Sequence, residues 1–318
     1  MTQNFATQPF LIEQWDFTTH PAKLVDSSEE VGMIQDNHWY HCQRESLELR
    51  QWLRANEFEN GVIDSLLADD TRPRFEMYDD QSFLLILRGM NLNEGAKPDD
   101  MLSVRILWYN NILITTRKIS SRAITNIRKL LREQKGPVNT ARLLLAIIDG
   151  LNDNISHFLT ELEEQLFDIE EGEQPHSELR SVHKRLLKLR RFMKPQRYAH
   201  DDFLESDHPA MEDIELRMRN SLDTVIRINE SIDFYLEQIQ LMKNDIEQEQ
   251  TEKMNRNTYL FTVIAALFLP VSFLTGLFGI NIGGMPGVDN GMAFLIFCGA
   301  LGVTFVFEFL LLRWLRFF

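Results

Sequence analysis

The chain has 318 residues, with 47 acidic side chains against 33 basic ones and a net charge of −14. That length exceeds one ordinary domain, and so acidic a balance argues against a nucleic-acid partner. The averages, 44% hydrophobic and 25% charged, suit a water-soluble protein but hide a segregation of charge along the chain.

Residues 1–120 read as a mixed α/β domain. "PFLIEQWDF" and "HWYHC" have the look of strands, and "RPRFEMYDD" leads into "QSFLLILRGMNL". "MLSVRILWYNNILITTRKI" predicts a β-hairpin, because Asn110 and Asn111 tolerate the positive φ of a two-residue turn. Helical patterns in "SLELRQWLRAN" and "GVIDSLLAD" lie between the strands. No secretory signal is expected in "MTQNFATQPFLIEQWDF", which lacks a basic region followed by an apolar run.

Residues 121–210 are predicted helical. Gly136-Pro137 interrupts, Asn139 caps a long helix through Glu171, and "EGEQPHSE" ends it. A second helix runs from about His176 to Phe203. The first ends acidic, "ELEEQLFDIEEGE", and the second is basic, "HKRLLKLRRFMKPQR", which suggests a charge-matched antiparallel pair. A third helix begins near Met211 and meets no stop signal for about 70 residues, roughly 100 Å at 1.5 Å per residue. Pro270 falls inside it and is expected to kink it. Residues 211–257 are the water-exposed stalk of this helix.

From Thr258 to Leu312, 55 residues contain only Asp289 and Glu308 and neither Lys nor Arg. With Arg313 and Arg316, residues 258–318 sum to zero, so the whole net charge lies in residues 1–257. Two runs here, 258–279 and 292–312, are each long enough to cross a bilayer. Lys253 and Arg256 precede the first, and Arg313 and Arg316 in the tail 313–318 follow the second. The loop 280–291 has no cation. Positive charge on one side predicts a multi-pass protein of the inner (plasma) membrane with both termini cytoplasmic. Cys42 and Cys298 sit one in each part, so no disulfide is expected.

The long helix carries two stripes at coiled-coil spacing. One, Met218, Leu222, Val225, Asn229, Ile232, Leu236, Ile239, Lys243 and Ile246, is mainly apolar and should pack against protein. The other starts Asn244, Gln248, Thr251 and Asn255. It continues through the span as Thr258, Thr262, Ala265, Leu269, Ser272, Gly276 and Gly279. Small and neutral polar residues on one face of a membrane helix either allow close helix contacts or line an aqueous path. Spacing alone leaves both open.

The stripe ends at Gly279-Ile280-Asn281. Here the sequence resembles the CorA superfamily of divalent-cation transporters, whose signature is Gly-Met-Asn at the end of the first of two C-terminal spans. "FLTGLFGINIGGMPG", Phe273 to Gly287, is more similar to the zinc-associated ZntB branch. The resemblance extends to the whole layout: an α+β cytoplasmic domain, long helices, a two-helix terminal hairpin and the basic end "RWLRFF". It implies a homopentameric funnel in lipid, the first span of each subunit lining a central pore. Asn281 would ring the external mouth, with Gly279 turning the backbone and Ile280 in place of the usual methionine. Ser272, Leu269 and Thr258 would be pore-facing by match, and the family pattern favours Phe261 where the stripe has Thr262. Many family loops carry an acid after Met-Pro, but Gly287 follows Met285-Pro286 here, which leaves Asp289 to attract cations. The branch favours Zn²⁺ as the transported ion, with Cd²⁺, Ni²⁺ and Co²⁺ as further candidates, and uptake over efflux; proton coupling stays open. No covalent cofactor is expected.

The stripe itself has no His, Cys or carboxylate, the groups Zn²⁺ prefers; zinc therefore rests on the resemblance. His38 and His41, three apart on a strand, should face opposite sides. "HDDFLESDH" offers His200, Asp201, Asp202, Glu205, Asp207 and His208 as a cytoplasmic cation cluster, or else a solvated turn. Cys298 reads as a small apolar residue. Glu308, an ionisable group in a span, suggests pairing with Arg313 or proton coupling. Two other function classes compete: a Mg²⁺/Co²⁺ channel of the CorA type, and a membrane-anchored scaffold whose hairpin is only a tether. An enzyme is disfavoured, since phosphate loops, nucleophile motifs and metal-hydrolase spacings are lacking.

Overall fold

A computed structural model describes residues 10–25, 32–69, 71–172, 175–280 and 290–314. The chain divides into two compact units, residues 1–240 and 241–318.

The first unit is built on a seven-stranded sheet of order β2-β1-β3-β7-β6-β5-β4. In chain order its elements are β1 (Leu11–Asp16), β2 (Lys23–Val25), β3 (His38–Gln43), α1 (Leu47–Ala55), α2 (Asn60–Leu67), β4 (Arg74–Asp79), β5 (Ser82–Gly89), β6 (Leu102–Tyr109) and β7 (Ile112–Arg117). Then come α3 (Arg122–Arg132), α4 (Thr140–Glu170), α5 (Leu179–Glu205) and the start of α6 (Glu215–Phe278). The hairpin is as expected: Tyr109 pairs with Ile112 across Asn110 and Asn111, whose φ angles are 45° and 64°. β3 and β7 pair in parallel, in a mixed sheet.

β5 shows why this sheet reads as an unbroken apolar run. All eight of its residues are buried, because both faces of the sheet are covered. Phe83, Leu85 and Leu87 join one core with residues of α3, α4 and α5. Leu84 and Ile86 point the other way, into a core with Leu49, Leu53, Ile63 and Leu66 of α1 and α2. At Gly89 a Cβ would lie 2.5 Å from Leu151 Cδ2, so α4 approaches the strand more closely than a side chain allows.

The helices follow their signals with small shifts. Asn139 caps α4, its side chain accepting the backbone N–H of Arg142 at 2.8 Å. A 3-10 turn at His176–Glu178 precedes α5. A second, at Pro209–Met211, delays α6 to Glu215, and the His208 side chain caps that turn. α6 then runs 64 residues without a break, through Pro270. Met218, Val225, Ile232 and Ile239 are buried, so the apolar stripe packs on protein as far as Ile239. Basic residues of α5 also meet neighbours other than α4. Lys188 of α5 pairs with Asp99 and Asp100 in the β5–β6 connection, and Arg190 and Lys194 pair with Asp233 of α6. The basic face of α5 is shared with its other neighbours.

Candidate functional site

The second unit contains the rest of α6 and α7 (Ala293–Trp314). Both helices are long and apolar enough to cross a membrane. Their large side chains are bare: Phe268, Phe273, Phe294, Leu295 and Phe307 are all more than half exposed. An apolar surface of this extent needs cover from lipid or from protein.

Within the two apolar runs, what shelter there is falls on one face of each helix. On α6 it covers Val263, Leu267, Pro270, Val271 and Leu274. On α7 it covers Ala293, Phe297, Leu301, Thr304, Glu308 and Leu312, spaced four, four, three, four and four apart. Phe278 packs on Phe297 with ring centroids 5.0 Å apart. These are the faces the two helices turn to each other.

At 3.6 residues per turn, Thr258, Thr262, Ala265, Leu269, Ser272 and Gly276 centre about 180° from the sheltered face of α6. All six are exposed. The small and polar stripe therefore lies on the side of α6 that α7 leaves bare. Phe261 and Thr262 flank its midline, about 60° to one side and 40° to the other, and both are exposed. Beyond Gly276, where an added Cβ would meet open space, the helix tightens. Gly279 N–H donates to Thr275 O at 2.9 Å and Gly276 O at 3.2 Å, and a Cβ at Gly279 would be 3.0 Å from Thr275 O. Ile280 is exposed. Asn281 and Asp289 lie outside the described residues.

One hydroxyl of the stripe has a defined partner. Thr262 Oγ1 donates to the Thr258 carbonyl at 2.8 Å, an i−4 bond within the helix. With its one proton used, that oxygen presents only lone pairs outward, which suits a cation or the water around one.

Other candidates fare differently. The residues of "HDDFLESDH" are not brought together, and among the described residues no group of three His, Cys, Asp or Glu could hold a metal. Helical geometry separates them. His200 is buried, with Nδ1 2.8 Å from Gln196 O, and burial pulls its pKa down to about 4. Asp201 lies 3.7 Å from Arg197 on the same helix, and Asp202, Glu205 and Asp207 face solvent. His208 Nδ1 accepts the Ala210 N–H at 3.1 Å, and its ring stands edge-on to Phe83. His38 and His41 face opposite sides of the sheet as expected, stacked on Tyr40 and tilted on Trp39 respectively.

Glu308 sits on the α7 face turned to α6, and its Oε2 is buried without a hydrogen-bond partner. No ion pair joins it to Arg313 among the described residues. Five residues along a helix is about 140° of rotation, so the two side chains leave on different faces. Cys298 is exposed, away from that contact.

A family model described as CorA-like Mg2+ transporter protein matches residues 35–314. The zinc transport protein ZntB of Vibrio parahaemolyticus is 47% identical over 308 residues, 97% of each chain. The crystal structure of the ZntB cytoplasmic domain from that organism superposes with a TM-score of 0.73 at 42% identity, covering 77% of this chain and all of the other. The full-length CmaX structure reaches a TM-score of 0.82 at 28% identity over 98% of this chain and 99% of the other.

Proposed function

This membrane protein belongs to the CorA-like family of divalent-cation transporters, and from that premise we propose that it carries Zn²⁺ along the exposed stripe of α6. One observation supports this reading above the rest: Thr258, Thr262, Ala265, Leu269, Ser272 and Gly276 occupy the face of α6 opposite to the one α7 covers. A tether needs no such face. One hairpin cannot enclose a path, so several copies must bring their stripes to a common axis; five is the number we propose. Lipid then covers the outer apolar surface. The cation pattern at the ends of the spans supports cytoplasmic termini and placement in the inner membrane.

The chemistry of the path is that of neutral oxygens. Hydroxyls, a carbonyl-bonded threonine and, at the outer end, the Asn281 carboxamide can accept hydrogen bonds from the water around a hydrated cation. They lack the soft or anionic donors that strip a Zn²⁺ shell. Zn²⁺ therefore passes with much of its water, entering by the mouth at Gly279, Ile280 and Asn281, where Asp289 adds negative charge. The direction we propose is uptake.

Flux of Zn²⁺ into proteoliposomes, with Cd²⁺, Ni²⁺, Co²⁺ and Mg²⁺ in parallel and with and without a pH gradient, tests the reading. The chain is expected to carry Zn²⁺, and Asn281→Ala is expected to lower that flux at least tenfold while the oligomer persists. Unchanged flux in the variant removes the proposed mouth. No flux of any ion leaves only the tether.

A further inference from the structure

The cytoplasmic part of α6 buries an apolar face, interrupted by Ser221 and Asn229, which are 4% and 7% exposed. Both reach across to other elements. Asn152 Nδ2 of α4 donates to Ser221 Oγ at 2.9 Å. Gln196 Nε2 of α5 donates to Asn152 Oδ1 at 3.4 Å, and Gln196 Oε1 accepts the backbone N–H of Arg88 on β5 at 2.7 Å. Asn229 Nδ2 donates to the Met193 carbonyl of α5 at 3.1 Å. A buried chain of hydrogen bonds thus links β5, α5, α4 and α6, with a second tie from α6 to α5 two turns further on.

Apolar side chains at three- and four-residue spacing fit nearly as well after a slide of one helical turn, about 5.4 Å. Buried amides do not, because a slide leaves donors and acceptors dry and unpaired. A buried asparagine in such a face fixes register at some cost in stability. We propose that Asn152, Gln196, Ser221 and Asn229 form a register clamp on α6. The helix from Glu215 to Ile239 moves as one body with α4, α5 and the sheet, and the displacement of α6 that accompanies transport begins beyond Ile239. The second half of this statement rests on the transport reading above; the clamp itself does not.

The test uses full-length protein with Cys42 and Cys298 replaced by alanine. Arg190 and Asp233 form a surface ion pair between α5 and α6 at 2.9 Å. Arg190→Cys with Asp233→Cys, joined by a short bis-maleimide that alkylates both thiols, should transport Zn²⁺ within twofold of the same protein left unjoined. A loss above tenfold on joining means that α6 slides during transport and overturns the proposal. If the unjoined protein carries no ion, the transport reading fails and the second arm decides the clamp. There, Asp233→Cys is combined with Leu187→Cys or Arg197→Cys, which report a slide of one or two turns. These pairs should cross-link at least fivefold more when Asn152→Leu and Asn229→Leu are added. Should that variant not fold, Ser221→Ala with Asn229→Ala replaces it. No increase in a folded variant overturns the clamp.

Discussion

The two halves of α6 place polar residues among apolar ones in opposite ways. Between Glu215 and Ile239, Ser221 and Asn229 turn inward and are satisfied within the chain, by Asn152 and by the Met193 carbonyl. Between Thr258 and Gly276 the threonines, serine and glycine turn outward, on the face that the chain's other span does not cover. A polar group inside needs a fixed partner and gives rigidity in return. A polar group outside, in a segment bound for lipid, needs water or another subunit. On the reading proposed above, one helix serves as an anchor at one end and as a wall of the path at the other.

The largest effects that would break this contrast belong to the wall. Gly276 and Gly302 both have open space around an added Cβ, but only Gly276 lies on the stripe. Gly276→Leu is expected to cut Zn²⁺ flux about tenfold or more, and Gly302→Leu less than twofold, in the same proteoliposome assay. Equal losses would mean that the stripe has no special place. At the anchor the readout is stability. Gln196→Ala removes the acceptor for Arg88 N–H and the donor to Asn152, so it should destabilise the folded chain by about 1–3 kcal/mol. Exposed Glu230→Ala should change it by no more than about 0.5 kcal/mol. Denaturant melts in detergent distinguish the two.

A smaller effect comes from pH. Burial holds the His200 pKa near 4, against 6.5 for a free histidine. The unfolded chain takes up this proton near pH 6.5 and the folded chain only near pH 4, so falling pH favours unfolding across that window. Between pH 6.5 and 5 the loss is about 2 kcal/mol at most. His200→Gln should lose less stability over the same range, measured by denaturant midpoint. Glu13 acts lower on the scale. Its burial is outweighed by hydrogen bonds from Arg128 and Trp15, so its pKa is lowered from 4.5. Its contribution is present above that value and vanishes as the pH falls through the lowered one; Glu13→Gln should flatten that final acid step.

Local signals in the sequence were enough for much of this. Asn110-Asn111 marks a turn because few residues accept positive φ, and Asn139 marks a helix start because its side chain can take a backbone N–H. The spans announce themselves by length and lack of charge. The parallel pairing of β3 with β7 was not legible, since strands whose partners, such as Trp39 and Leu113, lie 74 positions apart share no local signal. "HDDFLESDH" misleads in the same way. Acids and histidines close in sequence fan out around a helix, and burial claims His200 and His208 for structural bonds. The clamp left one trace, Asn229 in a stripe otherwise apolar from Met218 to Ile239, but its partners on α4 and α5 appear only in the folded chain. The stripe itself was readable at 3.5-residue spacing. What the sequence could not supply was the position of α7 on the opposite side.

The wall can be tested residue by residue. Single cysteines at Thr258, Thr262, Ala265, Leu269, Ser272 and Gly276, and at Val263, Leu267, Val271 and Leu274, are placed in a chain with Cys298→Ala and exposed to a charged, water-soluble thiol reagent in membranes. The stripe set is expected to label readily, and more slowly when Zn²⁺ is present, while the set facing α7 stays unlabelled. Labelling that ignores the two faces, or a stripe as unreactive as the α7 contact, would contradict a wet path along α6.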